Sequence, residues 1–363
     1  DGSRVIWSNG ADRMSKIDAD TFEVLAELPR ADKVLVTSAE ADANIALLDQ
    51  QTGAELATTG LGLGATYLLG LTGIYYALDS DNTMFIGGED SVLAYQDEIA
   101  GDPHSPIVLR NEWKRPTEIT GGFVGVNMTF DGKLVVVTDE GWIVVLERDF
   151  SDYVAIALPG QEVAAAHNAE VVANGITLAS ASWVRNSIAV DDQGGIYAVS
   201  FDEIHKVMWD GVKLSISPDD GAWSVPYSNG NGKGSGATPA LMGYCDDRFV
   251  VVTDGDAQMN VMLFWRDAIP QDWENIEGQT NPRVAGNALV TMDDANLTAI
   301  QSEQGVVVGG YGALVVNNDS PTIPDGYPAK AARLLVAYSG ADPAFAPHGM
   351  QKFSWDPATR MFA

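Results

Sequence analysis

Two asparagines, two histidines and a group of loop aromatics are the residues of this chain whose types and positions could do chemistry. Asn186 opens the run "NSIAVD" and Asn127 opens "NMTFD". Asparagine is a poor strand former, yet each stands at the head of an alternating run. Its side-chain carbonyl there can cap local backbone. It can equally join carboxylates around a hard cation such as Ca2+, which takes about six to eight oxygen ligands. His167 ("AAAHNAEVV") and His348 ("FAPHGMQ") lie between strand patterns, where an imidazole titrating near neutral pH could serve as general base. Trp183 and Arg185 ("SASWVRNS") directly precede Asn186. The guanidinium could clamp a carboxylate or phosphate by two parallel hydrogen bonds. Trp223 and Tyr227 ("GAWSVPYSNG") add aromatic surface in a long loop. His205 sits inside a strand pattern and reads as structural, while His104 ("GDPHSP") reads as an exposed loop residue.

The elements that position these residues are short and β-rich. "NSIAVD", "IYAVS", "EIHKVMW" and "VKLSI" are four alternating runs, separated by "DQGG", by a short connection and by "DG". Asp-Gly between such runs marks a hairpin, because Gly accepts the positive φ of the turn. The template recurs from Tyr75, Asn127, Pro239 and Leu297, with first turns near Asp81, Asp131, Asp192, Asp247 and Gln304. Four-stranded units repeating at about 40–50 residues are the sequence sign of a β-propeller, and the intervals of about 50–60 here mean that the loops between strands are extended. The expected fold is therefore all-β: one propeller domain over 1–363, of six or seven four-stranded blades with long inter-strand loops. The first strand of each blade would line a central channel, and residues at its start would converge at one mouth. "SRVIWSNGADRMSKIDADTFEVL" matches strands two to four, and "GMQKFSWDPATRMFA" matches three and four. Closure then needs an inner strand from 331–340 ("AARLLVAYSG") or from chain beyond Ala363. One short inserted helix is expected near 38–50, with Ser38 as its N-cap.

"NSIAVDDQGGIY" resembles the strand–turn–strand of the calcium-dependent propellers: gluconolactonases, paraoxonases and strictosidine-synthase-like proteins. The resemblance covers about a tenth of the chain. It implies a channel Ca2+ touched by Asn186 and, at one residue's shorter spacing to its turn, by Asn127. The acidic ligand such families use has no matching motif here; Glu23, Asp139, Asp254 and Asp256 are its candidates. A similar "IAVDxxGxIY" pattern occurs in quinoprotein-like propellers, but an acidic quinone cofactor would need a cationic pocket, and Lys and Arg are scarce.

Composition bounds the partners. Asp and Glu number 50 against 21 Lys and Arg, a net charge of -29. So acidic a surface repels nucleic acid and anionic membranes. It suits a salty or extracytoplasmic setting. The start at Asp1 without Met is that of a periplasmic or secreted protein after removal of a signal peptide. Cys245 is the sole cysteine, so no internal disulfide forms. No apolar run is long enough for membrane insertion. There is no H-E-x-x-H, G-x-S-x-G or P-loop motif. Two functions remain open. One is a small-molecule binder at the channel mouth, most concretely a metal-assisted lactone or ester hydrolase. The other is a non-catalytic exported scaffold that binds another protein through its loops.

Overall fold

The computed structural model describes residues 4–30, 33–67, 73–175, 181–325, 327–328 and 332–363. Six antiparallel sheets follow one another along the chain, each an up-and-down meander. Six such blades in succession place the chain in the β-propeller class. By contact density it divides into two compact units, one of 1–118, 122–126 and 320–346, the other of 119–121, 127–319 and 347–363.

The first unit holds two sheets. One is three-stranded: β1 (Val5–Asn9), β2 (Arg13–Asp18) and β3 (Val24–Pro29). The other is β4 (Tyr76–Leu78), β5 (Met84–Gly87), β6 (Ser91–Asp97) and β7 (Ile107–Lys114). Trp7, Met14, Met84, Ile86 and Ile107 form the core of this unit's sheets. Between β3 and β4 come two helices, α1 (Ser38–Leu48) and α2 (Gly53–Tyr67). The N-cap of α1 is Thr37, one residue before the expected Ser38, and Thr37 and Glu40 form a reciprocal capping box. The segment 332–339, one of the two candidates for a closing strand, is instead a helix, Ala332–Ser339, packed on α2.

The second unit carries most of the chain. Its first sheet is β8 (Phe123–Met128, of which only the last two residues belong to this unit), β9 (Leu134–Thr138), β10 (Trp142–Leu146) and β11 (Tyr153–Ala157). Helix α3 (Ala164–Ala173) follows. The next sheet is β12 (Ala189–Val190), β13 (Gly195–Val199) and β14 (Glu203–Trp209), completed by two short strands, β15 (Leu214–Ser215) and β16 (Trp223–Pro226), which both pair with β14. The fourth strand of this blade is thus broken in two. Then come β17 (Ala240–Tyr244), β18 (Asp247–Thr253), β19 (Asn260–Trp265) and β20 (Val284–Leu289). The last sheet is β21 (Val307–Gly309), β22 (Gly312–Val316), β23 (Met350–Asp356) and β24 (Met361–Phe362). The C-terminal strands therefore complete the sixth sheet, and residues 317–349 are an insertion between its second and third strands.

Strand composition follows from this stacking. All five residues of β9 (LVVVT) and of β13 (GIYAV) are buried, because a central blade strand is covered on both faces. Phe249, Val251, Leu263 and Trp265 of the fifth sheet pack against Ala313, Val315, Phe353 and Trp355 of the sixth. Gly194 closes the β12–β13 turn at φ +83, and a Cβ there would lie 2.0 Å from the Trp209 carbonyl oxygen.

Candidate functional site

The loops that lead into β12, β17 and β21 meet in the second unit. Arg185 lies just before β12. Its Nε donates to the Ser235 carbonyl at 3.1 Å, and its two terminal nitrogens reach the Glu303 carboxylate at 2.8 and 3.3 Å. Ser235 precedes β17 and Glu303 precedes β21, so one guanidinium ties three blades at a single level. The fork geometry of arginine makes this possible, since a planar group can meet both carboxylate oxygens and a carbonyl at once. Asn186 is buried, and its amide nitrogen donates to the same Ser235 carbonyl at 2.9 Å.

The bracing continues on both sides. Tyr227 is buried one residue past β16. Its hydroxyl lies 2.6 Å from the Ser200 carbonyl and accepts from the Ser235 backbone N–H at 3.0 Å. Burial raises its pKa, which keeps the phenol protonated as a donor. Asn231 bonds Gln301 at 2.8 Å, and the Gln301 amide donates to the Asp256 carbonyl at 2.9 Å. Asn318 accepts from the Glu303 backbone N–H at 2.7 Å. Asp254, just past the end of β18, accepts from the Asn260 backbone and side chain at 2.9 and 2.6 Å; its burial lifts its pKa to about 6. Burial also raises Asp319, and burial with the neighbouring Asp202 charge raises Glu203.

Helix α3 lies beside this layer. The Asn168 side chain accepts from the Trp183 backbone N–H at 2.8 Å. The His167 ring is 4.2 Å from the ring of Phe201, whose carbonyl accepts from Asn229. Nε2 of His167 sits 2.8 Å from the Ala181 carbonyl oxygen. A carbonyl only accepts, so Nε2 carries the proton and Nδ1 is left as the acceptor. Trp183 is buried, with its ring against Gly141, where a Cβ would come within 2.3 Å of it.

The structure thus brings together Arg185, Asn186, Tyr227, Trp183 and His167. Three other candidates are placed differently from the sequence expectation or outside this group. Asn127 is the fifth residue of β8 rather than its first. Its amide nitrogen donates to the Ile188 carbonyl at 2.9 Å and its oxygen accepts from the Met128 N–H. Its oxygen caps local backbone, while its amide reaches across to the segment that Asn186 opens. Trp223 belongs to β16 rather than a loop, and its ring lies 4.9 Å from the Arg283 guanidinium. His348 is half-exposed, 3.8 Å from Asp294. His205 is fully buried between Ser224 and Ser200 at 2.7 and 2.9 Å, and burial pushes its pKa down to about 3. Among the described residues no three His, Cys, Asp or Glu side chains gather closely enough to hold a metal ion.

No family model matches the chain. It is 33% identical over 300 residues to an uncharacterized protein of Archaeoglobus fulgidus, a match that covers 80% of this chain and 54% of the relative. The chain therefore spans about half the length of the curated relative it matches. Among solved structures it is similar to BamB from Moraxella catarrhalis, with a TM-score of 0.42 and 10% identity over 88% of this chain and 68% of that one. It is also similar to a protein of unknown function from Bacteroides caccae, with a TM-score of 0.39 and 12% identity over 87% and 83%. No helix of the described residues is long and apolar enough to cross a membrane.

Glu303, Ser235, Gln301 and Asn318 are the site residues that pattern reading missed. They lie in irregular loops, where no periodicity marks them. The one available signal was position: each lies just before or after a strand at the level of Arg185.

Proposed function

We propose that the chain is an exported recognition module that binds a partner through the loop surface of its second unit. The observation that carries this reading is the bracing of Arg185 to Ser235 and Glu303 across three blades. Loops held in this way present a fixed surface, which lowers the ordering cost of binding. Most polar groups there already engage one another, which suits a platform better than a reaction centre. The net charge of -29 and the exposed Asp202 at the β13–β14 turn favour a partner that presents basic groups.

Fluorescence anisotropy with lysine-rich and aspartate-rich peptides tests this. The lysine-rich peptide should bind, weaken with added salt, and lose affinity on Asp202→Lys. Equal binding of both peptides, or none of either, would refute the reading.

A hydrolytic role is the second reading, and His167 favours it. Its Nδ1 has no partner among the described residues and could take a proton from a water attacking a lactone or ester. The calcium ion implied by the resemblance would take oxygen ligands from several blades, with Asn127 and Asn186 the side chains proposed for it. Turnover of a lactone panel, lost in His167→Gln, would put this reading first.

A further inference from the structure

Basic residues are scarce in this chain, yet four of them meet at one seam of the second unit, between the β14 and β19 sheets. Lys206 donates to the Arg266 carbonyl at 3.0 Å and lies 3.3 Å from Asp267. Arg248 is 2.8 Å from Asp267. Arg283 donates to the Trp265 and Asp267 carbonyls at 2.7 and 2.8 Å, with its guanidinium over the Trp223 ring. Nε of Arg266 lies 3.5 Å from Asp267 and 3.8 Å from Asp191, too far for a hydrogen bond to either. That Nε and the Asp267 Oδ2 it faces are both buried with no hydrogen-bond partner.

Two carboxylates face these four cations. Asp267 is one. Asp191 is the other, and it already accepts from the Tyr197 hydroxyl at 2.7 Å and from the Gly195 N–H at 2.7 Å. Backbone carbonyls satisfy the donors of Lys206 and Arg283 but carry no net charge. The seam therefore holds more positive than negative charge in a partly desolvated place, and desolvated charge demands a counter-charge. Asp267 and Arg248 are about a third exposed, so the seam opens to solvent on their side.

We propose that this seam binds a small tetrahedral oxyanion, phosphate or sulfate, held by Arg266 and Arg248. The anion would enter on the exposed Arg248 side, accept from the two guanidinium groups and balance the excess charge. It is independent of the loop surface described above.

Isothermal titration of the full chain with phosphate and with sulfate, at constant ionic strength in chloride, tests it. Saturable binding at millimolar concentration or below is expected for at least one anion, with a several-fold loss of affinity in Arg266→Gln. Arg248→Gln, at a site about a third exposed, should show the same loss and covers the case in which the first variant does not fold. No saturable binding of either anion, or affinity unchanged in Arg248→Gln, would overturn the proposal. Comparison of the two anions under the same conditions separates phosphate from sulfate.

Discussion

The indole nitrogen of Trp209 donates to the Asp131 carboxylate at 3.0 Å, across 78 residues of sequence. Trp209 ends the third strand of one blade, and Asp131 stands in the first turn of the blade before it. Trp355 and Asp247 repeat the contact at 2.9 Å between the last two blades. Trp265 occupies the matching place in the blade between, but its indole nitrogen is buried without a partner, and Asp191 bonds Tyr197 instead. The seam that lacks the indole–carboxylate bond is the seam that carries the excess of basic side chains.

The bond itself should be measurable. Asp131→Ala and Asp247→Ala each leave a mostly buried indole N–H without its acceptor, which costs about 1–3 kcal/mol. The two contacts share no residue, so their effects should add. Urea denaturation of the single and double variants checks both claims. Losses below about 0.5 kcal/mol would show that water replaces the carboxylate at no cost.

Arg185 and Glu303 should prove coupled. The arginine side chain is 8% exposed and the glutamate 27%, so the pair is screened less than a surface ion pair. Arg185→Met should destabilise the second unit by about 1–3 kcal/mol, because it removes the donors that face the Ser235 carbonyl and the Glu303 carboxylate. A double-mutant cycle with Glu303→Gln should return a coupling of about 1 kcal/mol. A coupling near zero would mean that the three loops are held by their other contacts, among them Asn186 to Ser235 and Asn231 to Gln301.

His205 should weaken the fold in acid. Its folded pKa is pushed from 6.5 to about 3 by burial. The unfolded chain therefore takes up a proton as pH falls below 6.5, while the folded chain does not. The stability that neutral His205 contributes is present above 6.5 and is lost as pH falls toward 3. The loss is on the order of 3–5 kcal/mol over that window. His205→Gln should flatten the acid limb of a melting-temperature profile, and an unchanged limb would rule His205 out as its cause.

The blades were legible because strand alternation and Asp-Gly turns repeat locally, as in 186–211. Helix α1 was legible as well, since a capping residue precedes a run of helix formers near 38–50; α2 was not. α2 carries four glycines in 15 residues, which lowers its intrinsic helix propensity. It is helical because packing overrides propensity: Gly60 faces the Tyr338 ring so closely that a Cβ would lie 2.6 Å from it. The site was legible in part. Arg185 and Asn186 could be placed because a strand pattern starts right after them. Glu303 could not, since its partner lies 118 residues away and no local pattern records that distance. Asn127 was placed at a strand start because "NMTFDG" imitates the template, but the strand begins earlier, at Phe123.

Asp254 should act in the opposite sense to His205. Burial raises its pKa from 3.8 to about 6, against the hydrogen bonds from Asn260 and Asp256 that favour the carboxylate. The folded chain then holds a proton between pH 4 and 6 that the unfolded chain has released, so stability falls as pH rises through that window and levels off above about 6. The loss is on the order of 2–3 kcal/mol. Asp254→Asn removes the ionisation and should raise the melting temperature at pH 7.5 more than at pH 4.5. The Asn260 amide can turn to present its oxygen to the new donor, so the local bonds survive. A variant that melts lower than the parent at pH 7.5 would show instead that the carboxylate is the form this β18–β19 loop requires.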